Sequence, residues 1–267
     1  MCGIFGFVLR NPVHTPKIFD VLQRLETSQY RPEETTPVGG YGAGVAILLN
    51  DGGILSEKVG KAEGSPAAHL AEIMTPTLTD VSAMIGHVRF PSSEFMDTAP
   101  FKEAAQPYVE HFEKELTIVS AHNGKIENYK ELKERLKGHV FESDKVGFVD
   151  SEIIPHYFGE ILNEVEDMDD ALYKLMCTLK GSNTKGNSVA MFHVDEENAF
   201  LHLIHKGKTR GLTVWANEKG EVIFCSRPEP VMDEFERLLA RDKFKEKVSI
   251  KWREDAGLKL SFPIAFE

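Results

Sequence analysis

The chain opens Met1-Cys2-Gly3-Ile4-Phe5-Gly6-Phe7-Val8-Leu9, and this stretch governs how the rest is read. Ile4 to Leu9 carries no polar side chain. Alternate residues of a strand leave opposite faces, so this strand is apolar on both faces and is expected to be buried on both. Gly3 and Gly6 let backbone or ligand come close. Cys2 stands directly before the strand. Cysteine is small, so removal of Met1 by an aminopeptidase is expected, leaving Cys2 with a thiol and a free α-amine. A thiol has a reference pKa of about 8.5 and an α-amine one of about 7.7–8.0. The amine is then partly neutral at physiological pH and can take the thiol proton, directly or through a water. Nucleophile and base would share one residue. The plainer reading is a small apolar residue at a frayed end.

Working outward, Thr15-Pro16 predicts an N-cap and a first-turn proline, followed by Ile18, Val21, Leu22 and Leu25 at helical spacing. Ser28 to Gly44 is rich in Pro, Gly, Thr and Glu and reads as a loop. Tyr41 to Asn50 returns to strand character and ends at the Asn50-to-Gly53 turn, a hairpin signal. Strands follow near 83–90 and 116–122, separated by a long irregular segment from Pro91 to Pro107. A loop of that length is expected to serve function or to move. Asn128 and Asp150 are each placed to cap a helix, and a third helix runs near 169–179. Gly181 to Asn187 is a polar loop. Strands then dominate at 188–194, 199–205, 212–217 and 221–226, before a helix at 231–241 and short strands at 248–252 and 258–262. Runs of strands and runs of helices predict an α+β protein with antiparallel sheets covered by helices. No composition break divides the chain, so residues 1–267 are read as a single domain.

Composition excludes several classes. Lys plus Arg is 31 against 42 for Asp plus Glu, a net charge of −11, which leaves no broad basic surface for nucleic acid. The longest apolar runs are far short of a membrane span, and the N-terminal stretch does not resemble a signal peptide. The cysteines are Cys2, Cys177 and Cys225, three without CxxC spacing. That argues against a disulfide framework and a cysteine-based metal site, and a reducing cytoplasm is expected. Cys177 and Cys225 read as inert core residues. His193, His202 and His205 cluster on late strands but lack accompanying carboxylates, so no metal site is assigned.

Three further stretches could carry chemistry. In Gly86-His87-Val88-Arg89-Phe90-Pro91 a strand brings Arg89 to its end, where Pro91 stops the ladder. An arginine there can hold a carboxylate through two parallel hydrogen bonds, or pair with a structural acid. His87 reads as a core histidine. In His122-Asn123-Gly124-Lys125-Ile126-Glu127-Asn128-Tyr129, Asn-Gly is first a hairpin signal, but helix rather than strand follows. The alternative is an oxyanion hole, with the Asn123 amide and the Gly124 N–H aimed at one developing negative oxygen. In Val149-Asp150-Ser151-Glu152, Asp150 can cap a helix and can also grip an ammonium group. Nucleophile, arginine, acid and oxyanion donors together match an α-amino acid with an amide side chain: glutamine.

At this point the chain resembles the class II glutamine amidotransferases of the N-terminal nucleophile hydrolase superfamily. The matching stretches are MCGIFG at Met1, LETSQYRPEE and GGYGAG within Leu25 to Gly44, GHVRF at Gly86, HNGKIENY at His122, VDSE at Val149 and CSRPEP at Cys225. The resemblance implies a four-layer αββα sandwich of two antiparallel sheets flanked by helices. It implies Cys2 as nucleophile and Asn123 and Gly124 as the oxyanion hole. It further implies Arg89 on the glutamine carboxylate and Asp150 on its α-amine, with His122 among the substrate-binding residues. Phe90-Pro91-Ser92-Ser93-Glu94 departs from the family pattern, and Ser92 is expected to take over a threonine contact. The Phe-Pro pair looks most like the separately encoded glutaminase subunit of archaeal-type glutamate synthase. No cofactor or metal is expected in this chain, and ammonia is expected to pass to a separate synthase subunit. If that partner is a glutamate synthase, flavin and iron–sulfur clusters would reside there. A stand-alone γ-glutamyl amide hydrolase and a non-catalytic regulatory subunit that keeps the fold are the competing readings.

Overall fold

A computed structural model describes residues 2–31, 33, 35–113, 115–181, 186–208 and 211–265. Met1, parts of the 28–40 loop and most of the 181–187 loop therefore lie outside the described residues.

The opening stretch forms β1 (Gly3–His14), the middle strand of a seven-stranded sheet. Its neighbours are β4 (Asp80–Val88) and β10 (Val222–Cys225), both antiparallel. Outside these lie β2 (Gly42–Leu48) and β3 (Ile54–Gly60) on one side, and β9 (Leu212–Ala216) and β11 (Lys245–Ile250) on the other. A five-stranded sheet runs β12-β8-β7-β6-β5, comprising Asp255–Ile264, Ala199–Lys208, Asn187–Val194, Thr117–Asn123 and Tyr108–His111. All assigned pairings in both sheets are antiparallel.

The two-faced burial of β1 follows from its place between layers. Phe5, Phe7 and Leu9 pack outward against helices α1 (Thr15–Thr27), α2 (Pro66–Met74) and α6 (Pro228–Arg241). Ile4 and Val8 face inward, meeting Val119, Ala121 and Phe192 of the second sheet. A third core lies beyond that sheet, where Ile118, Val189 and Met191 meet α3 (Tyr129–Arg135), α4 (Ile153–Glu164) and α5 (Met168–Thr178). The layers are helix, sheet, sheet, helix. Gly6 is dictated by this packing, because a Cβ there would lie 2.3 Å from the Met84 carbonyl oxygen and 2.5 Å from the Phe224 ring.

Several local expectations are corrected. His14 rather than Thr15 is the N-cap of α1, and the Thr15 hydroxyl instead donates to the Leu78 carbonyl at 2.7 Å. Asp150 opens a 3-10 turn (Asp150–Glu152) ahead of α4, and its carboxylate accepts from the Ile126 N–H at 2.7 Å rather than capping the helix. Asn128 is the N-cap of α3 by position, but its side chain bridges Lys180 and Thr178. The Pro91-to-Pro107 segment is structured by two short 3-10 helices, Ser93–Thr98 and Lys102–Ala104. Cys225 is buried in the core, but Cys177 is exposed on α5.

Candidate active site

Strand ends converge where β1 begins. Cys2 precedes β1, and Arg89 follows β4, whose Val88 is in register with Gly3. Ser226 follows β10, and its N–H donates to the Ile4 carbonyl at 2.8 Å. Asn123 ends β6 of the other sheet. Antiparallel pairing thus delivers residues distant in sequence to one edge of the sandwich.

Cys2 is half-buried and its sulfur is fixed by the Phe90 backbone. The thiol faces the Phe90 carbonyl oxygen at 3.5 Å, and the Phe90 N–H donates to the sulfur at 3.4 Å. Tyr30 donates its hydroxyl to the Cys2 carbonyl at 2.9 Å. The same hydroxyl accepts from Asn123 Nδ2 at 3.1 Å. Asn123 Nδ2 also donates to Ser226 Oγ at 3.2 Å, and Ser226 Oγ accepts the Ile4 N–H at 3.0 Å. The fully buried Asn123 amide is therefore linked, through Tyr30 and Ser226, to the Cys2 carbonyl and the Ile4 N–H.

Gly124 bends the chain after β6, and no hairpin partner follows. A Cβ here would lie 2.4 Å from Asn187 Oδ1 and 2.5 Å from His122 Nε2, so only glycine fits. His122 is buried beneath this bend. Its Nδ1 lies 2.8 Å from Ser151 Oγ and its Nε2 2.9 Å from Asn187 Oδ1, while its backbone N–H donates to Gln106 Oε1 at 2.6 Å. Both ring nitrogens are engaged by the protein, so His122 holds the turn in place. Ser92 is exposed at the N-cap of the first 3-10 helix, and among the described residues its hydroxyl makes no hydrogen bond.

Arg89 is 3% exposed. Its guanidinium donates to the Thr98 carbonyl at 3.2 Å and to Thr98 Oγ1 at 2.6 Å. Among the described residues no carboxylate lies within ion-pair distance of it, so the structural-acid alternative for this arginine is not realised. Burial pulls its pKa below the ordinary guanidinium value, while Tyr108, Cys2 and Asp150 act electrostatically in the other direction. Asp150 is 4% exposed, and burial raises its carboxyl to about 7 against the opposing hydrogen bond from Ile126. The nearby Cys2 raises it further and Lys125 counteracts. Cys2, Arg89 and Asp150 thus lie within one another's electrostatic reach. His87 is fully buried beneath them, and burial with the Arg89 charge depresses it to about 3, a neutral core side chain.

One surface contact ties the irregular segment to the turn. Lys125 Nζ lies 2.9 Å from Glu94 Oε2, and the Tyr129 hydroxyl donates to Glu94 Oε1 at 2.8 Å. Thr98, Tyr30 and Ser226 emerge only in the folded chain, although Tyr30 and Ser226 sit inside motifs quoted above.

No family model matches the chain. Individual proteins do. It is 35% identical over 186 residues, 68% of its length, to the glutamine–fructose-6-phosphate aminotransferase (isomerizing) of Sulfolobus acidocaldarius. It is 34% identical over 200 residues to the enzyme of the same name from Thermus thermophilus, matching 74% of the chain. The chain belongs to the class II glutamine amidotransferases. It spans only 27% and 28% of those two relatives. The fold is shared with the glutamine phosphoribosylpyrophosphate amidotransferase from B. subtilis. That structure covers 97% of this chain with a TM-score of 0.59 at 15% identity, while the chain covers 49% of it. A second solved structure, described as the allosteric regulatory enzyme of purine biosynthesis, superposes with a TM-score of 0.60 over 97% of the chain at 15% identity. The four-layer architecture is thus that of the class II amidotransferases, and no described helix is long and apolar enough to cross a membrane.

Proposed function

We propose that this chain hydrolyses glutamine with Cys2 as nucleophile and passes the ammonia to a synthase site on a separate subunit. The carrying observation is the pair Arg89 and Asp150. Both are buried, both face the Cys2 end of the sandwich, and among the described residues neither has an oppositely charged partner at ion-pair distance. Burying charges without partners is costly. An amino-acid zwitterion relieves both, its carboxylate on the Arg89 guanidinium and its ammonium on the Asp150 carboxylate.

Removal of Met1 frees the Cys2 amine. The amine takes the thiol proton and the sulfur attacks the side-chain carbonyl carbon, forming the C–S bond. The resulting oxyanion is held by the Gly124 N–H and by Asn123 Nδ2, which exchanges one of its present acceptors, Tyr30 or Ser226, for it. The protonated amine gives its proton to the departing nitrogen, so the C–N bond breaks and ammonia leaves a γ-glutamyl thioester. Water, deprotonated by the same amine, then releases glutamate and restores the thiol. A thioester suits this route because sulfur is both a good nucleophile and a good leaving group. These steps require no organic cofactor. The relatives extend well beyond the matched stretch and are named as aminotransferases, which supports an ammonia acceptor in a synthase module. A separately encoded glutamate synthase partner is the specific form that the Phe90-Pro91 pair favours.

Purified protein supplied with glutamine is expected to release glutamate and ammonia in equal amounts, slowly alone and faster with the synthase partner. Cys2→Ala should abolish both products. Full-rate turnover in isolation would remove the separate-subunit part of the proposal, and turnover surviving Cys2→Ala would remove the whole.

A further inference from the structure

Away from Cys2, on the face of the five-stranded sheet covered by α4, three side chains from three elements converge. They are Glu110 on the edge strand β5, His139 in the loop after α3, and His156 on α4. One ligand atom from each lies within 4.8 Å of the other two. The two Nδ1 atoms face one another at 3.1 Å, and Glu110 Oε1 lies 3.4 Å from His156 Nδ1. Two nitrogens on a tetrahedral zinc with bonds of about 2.0–2.1 Å stand roughly 3.3 Å apart, so these separations suit a shared cation.

The outer atoms point the same way. His139 Nε2 lies 3.1 Å from Glu160 Oε1, and His156 Nε2 stands 3.9 Å from Glu152 Oε1. A carboxylate accepts and does not donate, so Glu160 keeps the His139 proton on Nε2 and leaves Nδ1 as a lone pair. This is the arrangement by which an outer carboxylate orients a metal-binding imidazole. The inner side is walled by Phe141, whose ring centre lies 4.3 Å from that of His156, and by Phe112 at 6.2 Å from His139. His156 is buried, whereas Glu110 and His139 are partly open, so the cluster borders solvent.

We propose that Glu110, His139 and His156 bind a zinc-class divalent cation that fastens β5 and the 136–141 loop to α4. Two imidazoles and one carboxylate favour zinc or a neighbouring late transition metal over magnesium or calcium. The site stands outside the glutamine chemistry but close to its supports. β5 pairs with β6, which ends in Asn123, and α4 follows the turn carrying Asp150. The cation would therefore pin two elements that position the substrate site. A four-residue edge strand with one neighbour gains most from such a tie.

The test uses the tag-free full chain in a Cys2→Ala background, because the Cys2 thiol could itself take zinc. Chelator-stripped protein titrated with Zn²⁺ against a chromophoric competitor should bind one equivalent, and Ca²⁺ should not compete. His139→Ala and Glu110→Gln should each remove that equivalent. Glu160→Gln alters a half-exposed carboxylate outside the cluster and should weaken binding by about 10–100-fold without unfolding the chain. Zinc should raise the melting temperature of the parent and not of His139→Ala. Absence of saturable binding by the folded parent would overturn the proposal, leaving a protonated His156 bridging Glu110 and His139. Binding unchanged in His139→Ala and Glu110→Gln would overturn it equally.

Discussion

The same strands reach both ends of the sandwich, and the two ends differ in kind. At the far end, roughly 20 Å along β1 from Cys2, a cleft of about 730 Å³ opens between Val8, Leu9, Leu48, Leu49, Ala83 and Ile264. Its buried acid, Glu221, is held by neutral donors alone. Glu221 accepts the Arg10 N–H at 2.9 Å and the Asn217 amide at 2.6 Å. At the Cys2 end two buried groups of opposite charge, Arg89 and Asp150, stand beside the Cys2 sulfur, and among the described residues neither has a charged partner at ion-pair distance. The Cys2 end is set apart by two opposite buried charges beside a thiol, where the far end has a lone buried acid.

The sharpest way to break this contrast is to exchange the ends by mutation. Cys2→Ala should lower glutamine turnover by about 10⁴–10⁶-fold, whereas Leu49→Ala and Lys219→Ala in the far cleft should leave it within about twofold. Comparable losses at both ends, read by steady-state kinetics, would end the distinction. Next in size, Asn123→Ala should reduce kcat by about 10²–10³-fold with little change in KM, since its amide is assigned to the oxyanion. An effect confined to KM would make it a positioning group.

Arg89→Lys keeps the charge but loses the two-pronged donor geometry. It should cost about 2 kcal/mol of glutamine binding, seen as a rise in KM of roughly 30-fold. Asp150 adds a pH signature. Its carboxyl is raised to about 7 by burial, so below that pH the free protein carries it protonated and unable to hold an ammonium. kcat/KM should therefore fall about tenfold per pH unit as the pH drops beneath that value. Asp150→Asn should flatten this acid limb at a low level. The same shift favours the folded state at low pH, and that stability is lost as pH rises from the ordinary carboxylate pKa through about 7. The smallest effect is expected of Glu94→Gln. It removes a largely exposed contact with Lys125 and should cost under about 1 kcal/mol, most of it in KM.

Much of this architecture is legible in the sequence because it depends on local pattern. The unbroken apolar run of β1 announces two covered faces, and Gly6 sits where Phe224 and the Met84 carbonyl leave no room for a side chain. The Asn123-Gly124 turn leads into a helix, as the residues after it suggest. What stays hidden depends on distant partners. Thr98, Tyr30 and Ser226 are ordinary residue types that matter only once the strand ends meet, Ser226 being 222 residues from the Ile4 amide it accepts. β5 is short and mixed in character, α2 carries no strong periodic signal, and both escape pattern reading. Exposed Cys177 shows the converse, since an apolar-looking helix position need not face the core. Glu110, His139 and His156 have no metal-like spacing in the chain and come together only where β5, the loop after α3 and α4 meet.

In the proposed reaction the Cys2 sulfur, beside a freed α-amine, attacks a bound glutamine. Intact-mass analysis of the cell-expressed protein, before and after a glutamine-analogue electrophile, addresses it in one experiment. The expected result is a chain lacking Met1 that gains a single adduct, mapped to Cys2 and suppressed by excess glutamine. A chain that retains Met1, or an adduct on the exposed Cys177 in place of Cys2, would contradict it.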